Sequence, residues 1–173
     1  NNVKSYDQIV FIAAEAPVKN IKMYLNNLNM LINFIKGIKN INFEQLIYIS
    51  SDAVYSDTKN KIKENFSTKP NSLHGQMHIM RENILENLYS DKLCILRPTL
   101  IYGHDDPHNG YGPNKFIRCA KKNSGIDLFG FGEEMRDHVF INDVVEIIYN
   151  CLINKSIGKL NIASGKVISF NAI

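Results

Sequence analysis

"QLIYISSDAVYS", residues 45–56, decides the fold. Leu46, Ile47, Tyr48 and Ile49 run on without a charged residue, as in a strand buried on both faces of its sheet. Ser50, Ser51 and Asp52 follow at once. A strand of this kind belongs to a parallel sheet, and such sheets place ligands outside the carboxyl ends of their strands. A hydroxyl at that edge can hydrogen-bond an alcohol or carbonyl, and Asp52 can exchange a proton. The same residues also suit the plain start of a turn.

Outward from this segment the pattern repeats. "QIVFIAA" (8–14) is a second continuous apolar run, and "KLCILRP" (92–98) a third, ended by Pro98. Between them, residues 20–38 carry Ile21, Tyr24, Leu25, Leu28, Leu31, Ile32 and Ile35 at helical spacing. Residues 51–71 are polar and read as a loop. Ser72 is placed to cap a helix to about Tyr89, with Met77, Met80, Ile84, Leu85 and Leu88 apolar. Residues 103–113, rich in Gly, Asp and Pro, read as another loop. Then come a helix over 114–122, a strand into a turn over 126–132 and a short strand over 138–141. A helix capped by Asn142 and a last strand in "GKLNIASG" (158–165) follow. Strands alternating with helices imply an α/β fold with a parallel sheet covered on both faces. The strand ends Ala13–Ala14, Ser50–Asp52 and Pro98–Tyr102 would then share one crevice.

Composition narrows the function. Apolar residues make up 45 % of the 173, enough for a real core. A net charge of +3, with the lysines scattered, gives no basic stripe for nucleic acid. No apolar run reaches the ~18 residues of a membrane span, so no membrane partner is expected. Three distant cysteines, Cys94, Cys119 and Cys151, suit a reduced cytoplasmic protein. The first residue is Asn1, and "SFNAI" ends as a helix would begin, so both ends read as cuts in a longer polypeptide.

"SLHGQMHIMRE" (72–82) puts His74 and His78 on one helix face. A zinc site of the helical type needs Glu after the first histidine, and Gly75 stands there, so no metal is expected. A catalytic pair and a helix-surface pair both remain open on spacing alone. "GFGEEMRDHVFINDVV" (130–145) offers Arg136, able to fork onto a phosphate or to pair with a neighbouring carboxylate.

Several of these segments, in order, resemble the extended short-chain dehydrogenase/reductase family, the NAD-dependent epimerase/dehydratase group. "FIAA" (11–14) is similar to the strand end that lies over the dinucleotide, and Asn27 matches a family asparagine on the next helix. "SSDAVY" (50–55) resembles the family's "SSxxVYG", with Ser51 at the catalytic hydroxyl. "HGQMHIMRE" (74–82) stands where "YGxSKxxxE" is expected, so His74 replaces the catalytic Tyr and His78 its Lys. "LRPTLIYG" (96–103) resembles the strand closing over the nicotinamide, and the segment 130–148 one whose Arg contacts a nucleotide diphosphate. "LNIASGKVISF" (160–170) is also similar to a family segment. Three departures stand out: the first βαβ unit with its glycine-rich turn is absent, Ala53 replaces the Glu of the sugar 4,6-dehydratases, and Leu100 replaces a frequent Asn.

The resemblance implies a Rossmann-like, doubly wound sheet lacking its first βαβ unit. Residues 1–102 and 137–163 would form the dinucleotide domain, 103–136 a partial substrate-binding insert, and 164–173 the start of a C-terminal substrate region. It implies an NAD- or NADP-dependent epimerase or reductase, moving hydride at a carbon of a nucleotide-linked sugar. The alternative is an impaired relative that only binds nucleotide or nucleotide sugar. Ser51, His74, His78 and Asp52 would be catalytic. Ala13, Ala14, Asn27, Ile49, Ser50, His78, Pro98 and Ile101 would line the cofactor, and Asp52, Asn114, Lys115 and Arg136 the substrate. An imidazole titrating near ~6.5 lets His74 act as a base at neutral pH, and a charged His78 would lower its pKa. Relatives commonly form homodimers through the helices here at 20–38 and 72–89.

Overall fold

The computed structural model describes residues 7–58, 60–104, 106 and 110–173. They form two compact units, the described residues up to Pro98 with 148–161 in one and those of 99–147 with 162–173 in the other.

The first unit is built on the apolar runs. β1 (Gln8–Phe11), β2 (Gln45–Ile49) and β3 (Leu93–Pro98) are the expected strands, and β6 (Gly158–Ile162) completes the order β1-β2-β3-β6. β1 pairs with β2, and β2 with β3, in parallel. α1 (Ile21–Ile38) begins where the Asn20 side chain accepts from the Met23 amide. α2 (Leu73–Tyr89) begins where Ser72 accepts from the Gly75 amide. Both helices cover the face that carries Leu46, Tyr48, Leu93 and Ile95, with Leu31, Ile38 and Leu85 fully inside. Phe11 and Phe34 stack at 4.2 Å between β1 and α1.

The opposite face meets the end of α4 (Ile141–Ile153). The buried Gln45 amide there donates to the Cys151 carbonyl at 3.0 Å and to Ser156 at 2.7 Å, and Gln8 reaches Leu152 at 2.7 Å. A buried amide is tolerable because its hydrogens find acceptors.

The second unit holds β4 (Leu100–Tyr102), α3 (Pro113–Lys121), β5 (Met135–Phe140) and β7 (Val167–Ser169). β4 pairs parallel, and β7 antiparallel, with β5. The strand expected over 126–132 is not there. Gly130 and Gly132 take positive φ, and the Gly132 amide returns to Phe129 O at 3.0 Å, so the segment is a tight turn. The short strand expected over 138–141 begins earlier, at Met135, and Asn142 lies inside the first turn of α4 rather than capping it. Ser169 makes no side-chain cap, and only a 3-10 turn, Phe170–Ala172, follows it.

Candidate active site

The carboxyl end of β2 turns at once into a 3-10 turn, Asp52–Val54. Ser51 caps that turn. Its Oγ accepts from the Ala53 amide at 3.1 Å and donates to Asp52 Oδ1 at 3.3 Å. The start of α2 is pressed against the same turn. A Cβ built on Gly75 would lie 1.9 Å from the Ala53 carbonyl oxygen and 2.7 Å from Pro70 Cβ, so only glycine permits this approach. The first turn of α2, which carries His74, is thereby held against the turn that Ser51 caps. Gly75→Ala is expected to cost about 1–3 kcal/mol by overpacking against backbone. A denaturation midpoint equal to that of the parent would show that the turn can give way.

His74 is half-buried. The Val18 amide donates to its Nδ1 at 3.5 Å, and burial holds its pKa below the usual histidine value. Its ring meets His78 edge to face, with centroids 4.7 Å apart. His78 lies deeper, 4 % exposed. Its Nδ1 shares a 2.7 Å hydrogen bond with the Tyr48 hydroxyl in the helix–sheet core. Burial, then the neighbouring His74 and Arg81 charges, push the His78 pKa down to about 3. Burial also pushes the Tyr48 phenol up, so it keeps its proton. The charged His78 that would tune His74 is therefore not what the fold makes. A neutral imidazole stands in its place, with Nδ1 turned inward.

The Asn27 side chain is fully engaged within the protein. Its Oδ1 accepts from the Glu15 amide at 3.1 Å and from Arg81 Nη2 at 3.0 Å. Its Nδ2 donates to Glu15 O at 3.0 Å and Met23 O at 2.8 Å. Two acceptor sites and two hydrogens are all an asparagine side chain has. Asn27 shapes the loop after β1, with its side-chain donors and acceptors all taken within the protein. Arg81 is fully buried and also reaches Ala13 O at 2.8 Å. The Ser50 hydroxyl is likewise engaged, donating to Glu82 Oε1 at 2.6 Å.

Glu82 leads into a network that the sequence reading missed. Arg97 Nε donates to Glu82 Oε1 at 3.0 Å and Nη2 to Oε2 at 2.5 Å, both side chains being buried. Arg97 Nη1 donates to the Tyr55 hydroxyl at 2.5 Å, which itself donates to Asn161 at 2.9 Å. An arginine in an otherwise apolar strand was the available signal, because a buried charge requires a partner.

At the end of β1, Ile12, Ala13 and Ala14 are exposed, and Ile12 is 62 % accessible. These three apolar residues follow β1 at the carboxyl end of the strand. Ile49 and Pro98 close β2 and β3, half-buried and buried respectively. No glycine precedes Gly37, so a glycine-rich pyrophosphate turn is not among the residues before α1.

The second unit carries the remaining candidates. Ile101 is exposed on β4. Asn114 Oδ1 accepts from the Gly103 amide at 3.3 Å, and its Nδ2 donates to Asp106 at 2.9 Å, so it fastens the loop before α3. Lys115 is half-buried, and Arg136 pairs with Glu134. Among the described residues no group of three or more His, Cys, Asp or Glu is placed to hold a metal, and no helix is long and apolar enough to cross a membrane.

Residues 3–163 match the NAD dependent epimerase/dehydratase family. The chain belongs to that family. It is 27 % identical over 161 residues to the N-acetyl-alpha-D-glucosaminyl-diphospho-ditrans,octacis-undecaprenol 4-epimerase of Escherichia coli O157:H7, covering 88 % of this chain and 47 % of that protein. The fold matches a Methanobrevibacter ruminantium UDP-N-acetylglucosamine 4-epimerase solved with UDP-N-acetylmuramic acid. The TM-score is 0.85 at 24 % identity, over 97 % of this chain and 58 % of that one. It also matches a Bacillus cereus UDP-glucuronic acid 4-epimerase solved with UDP-glucuronic acid and NAD, at TM-score 0.84 and 22 % identity, over 95 % and 56 %. The chain thus spans about half the length of the relatives it matches.

Proposed function

We propose that this chain supplies the reacting half of an NAD-dependent enzyme, an epimerase or reductase acting at a carbon of a nucleotide-linked sugar. The observation that carries the reading is the packing of Gly75 onto the Ala53 carbonyl, which sets the first turn of α2, where His74 lies, against the turn that Ser51 caps. Relatives that act as 4-epimerases on nucleotide- or diphosphate-linked sugars support it. A nicotinamide dinucleotide, when bound, accepts and returns the hydride. Ser51 and His74 hold the reacting oxygen, and the apolar Ala13–Ala14 segment excludes water from the ring. Arg136 and Lys115 meet the diphosphate electrostatically, while Asn114 keeps the neighbouring loop in place. The three cysteines are free, in keeping with a reducing cytoplasm.

One observation favours the second reading, nucleotide binding without turnover. His78 gives its Nδ1 to Tyr48 and offers no positive charge where the family places lysine. The full-length protein decides between the two when incubated with NAD and a panel of UDP-glucose, UDP-N-acetylglucosamine and UDP-glucuronic acid. Epimerised sugar or a reduced nicotinamide absorbance is expected. Binding of NAD or a UDP-sugar with neither product leaves the second reading, and failure to bind either ligand sinks both.

A homodimer through α1 and α2 belongs to the same proposal. Ile21, Leu25 and Ile32 stay exposed on one stripe of α1, and Leu88 on α2. Leu25→Glu is expected to convert a dimer to monomer in sedimentation velocity. An unchanged sedimentation coefficient would remove this interface.

A further inference from the structure

The hydrogen bonds around Ser51 and His74 run in one direction. A serine hydroxyl has one hydrogen and two acceptor sites. In Ser51 the hydrogen goes to Asp52 Oδ1 at 3.3 Å, and the Ala53 amide takes one acceptor site at 3.1 Å. One acceptor site is left, and it can receive only a donor. A substrate hydroxyl at Ser51 therefore donates to it. His74 shows the reverse. Its Nδ1 accepts from the Val18 amide, so the neutral ring carries its hydrogen on Nε2. A ring in that tautomer donates through Nε2 and has no lone pair there to take a proton.

The geometry points to Asp52, reached through the Ser51 hydroxyl, as the base of the reaction, with His74 as a hydrogen-bond donor to the reacting oxygen. This assignment rests on the proposed hydride chemistry at a sugar carbon. It separates it from the phenolate role that the position of His74 suggests. In the oxidative direction the substrate O–H bond breaks and its proton passes to Ser51 Oγ. The Ser51 proton passes in the same step to Asp52 Oδ1, which ends as a carboxylic acid. The carbinol C–H bond breaks as hydride, with both electrons going to the nicotinamide dinucleotide, and the C–O bond becomes a carbonyl. The carbonyl oxygen then takes its hydrogen bond from His74 Nε2–H. In the reverse direction Asp52 returns the proton by the same path.

Two variants separate donor from base, because glutamine can donate a hydrogen bond but cannot take a proton at neutral pH. In the full-length protein with the UDP-sugar panel above, His74→Gln is expected to keep turnover within about tenfold, while His74→Phe falls further. Asp52→Asn is expected to lose about 10²–10⁴-fold in kcat with little change in KM. The tautomer is read separately, from the ring ¹⁵N shifts of His74 in the protein without cofactor, where Nε2–H is expected. His74→Gln as inactive as His74→Phe, Asp52→Asn as active as the parent, or Nδ1–H on His74 would each overturn the assignment while leaving the functional reading in place. A parent protein with no turnover would overturn the functional reading itself, and the relay with it.

Discussion

Glu82→Ala is expected to destabilise the protein by about 3–5 kcal/mol, the range found when one partner of a buried ion pair is removed. The reason is what remains. Arg97 is 1 % exposed and its guanidinium sits in β3 with no route to water. Without Glu82 it keeps only the Tyr55 hydroxyl and, at 3.3 Å, the Glu64 carbonyl. Ser50 loses its 2.6 Å acceptor at the same time. Folded domains are stable by about 5–15 kcal/mol, so the variant stands near the edge of folding. The double variant Glu82→Leu, Arg97→Met should cost less than the single one. It removes the charge along with its partner and leaves the Ser50 and Tyr55 hydroxyls and the Glu64 carbonyl each short of one bond, but no buried charge unpaired. Urea midpoints of the two variants test this. A single variant within 1 kcal/mol of the parent, or a double variant less stable than the single, would show that the charge is solvated.

The network also shows where the sequence was legible and where it was not. β1, β2 and β3 could be read because their central residues run on apolar, with the polar Gln45 and Arg97 only near strand ends. The helices α1 and α2 could be read because their apolar residues recur on the covered side. Ser50, Ser51 and Asp52 stood out as the polar residues beyond a buried strand, and Ser51 among them by its place in the family segment. The partners of Arg97 and His78 could not be read. Glu82 lies 15 residues before Arg97 and Tyr48 lies 30 before His78, and no local period couples such positions. The turn at 126–132 was misread because Ile126, Leu128 and Phe129 look like strand residues, yet Ile126 and Phe129 face solvent and two glycines reverse the chain. β4 and β7 were missed because three-residue strands are fixed by pairing with β5, not by their own pattern.

Acid should unfold this protein earlier than its carboxylates alone would, and His78 is the cause. Its pKa lies near 3 in the folded protein against ~6.5 in the unfolded chain. Between those values the unfolded chain binds a proton that the folded chain refuses. Stability therefore stands at its full value above about pH 6.5 and falls as pH drops toward 3, by about 1.4 kcal/mol for each unit. Burial lowers the His74 pKa too, which adds loss in the same direction. Between pH 6.5 and 5 the His78 contribution alone amounts to about 2 kcal/mol, enough to move a urea midpoint visibly. His78→Gln supplies the control. Its amide can still meet the Tyr48 hydroxyl, but it has no proton to gain, so its midpoint should vary less with pH over this range. If the parent midpoint is level from pH 7 to 5, or if His78→Gln follows the same slope, then His78 takes up its proton in the folded state. The 2.7 Å bond to Tyr48 would then run from Nδ1–H to the phenol oxygen, and a charge would sit in the core behind α2, Gly75 and the Ser51 turn. The acid limb of stability thus measures how firmly the core behind the candidate site is closed.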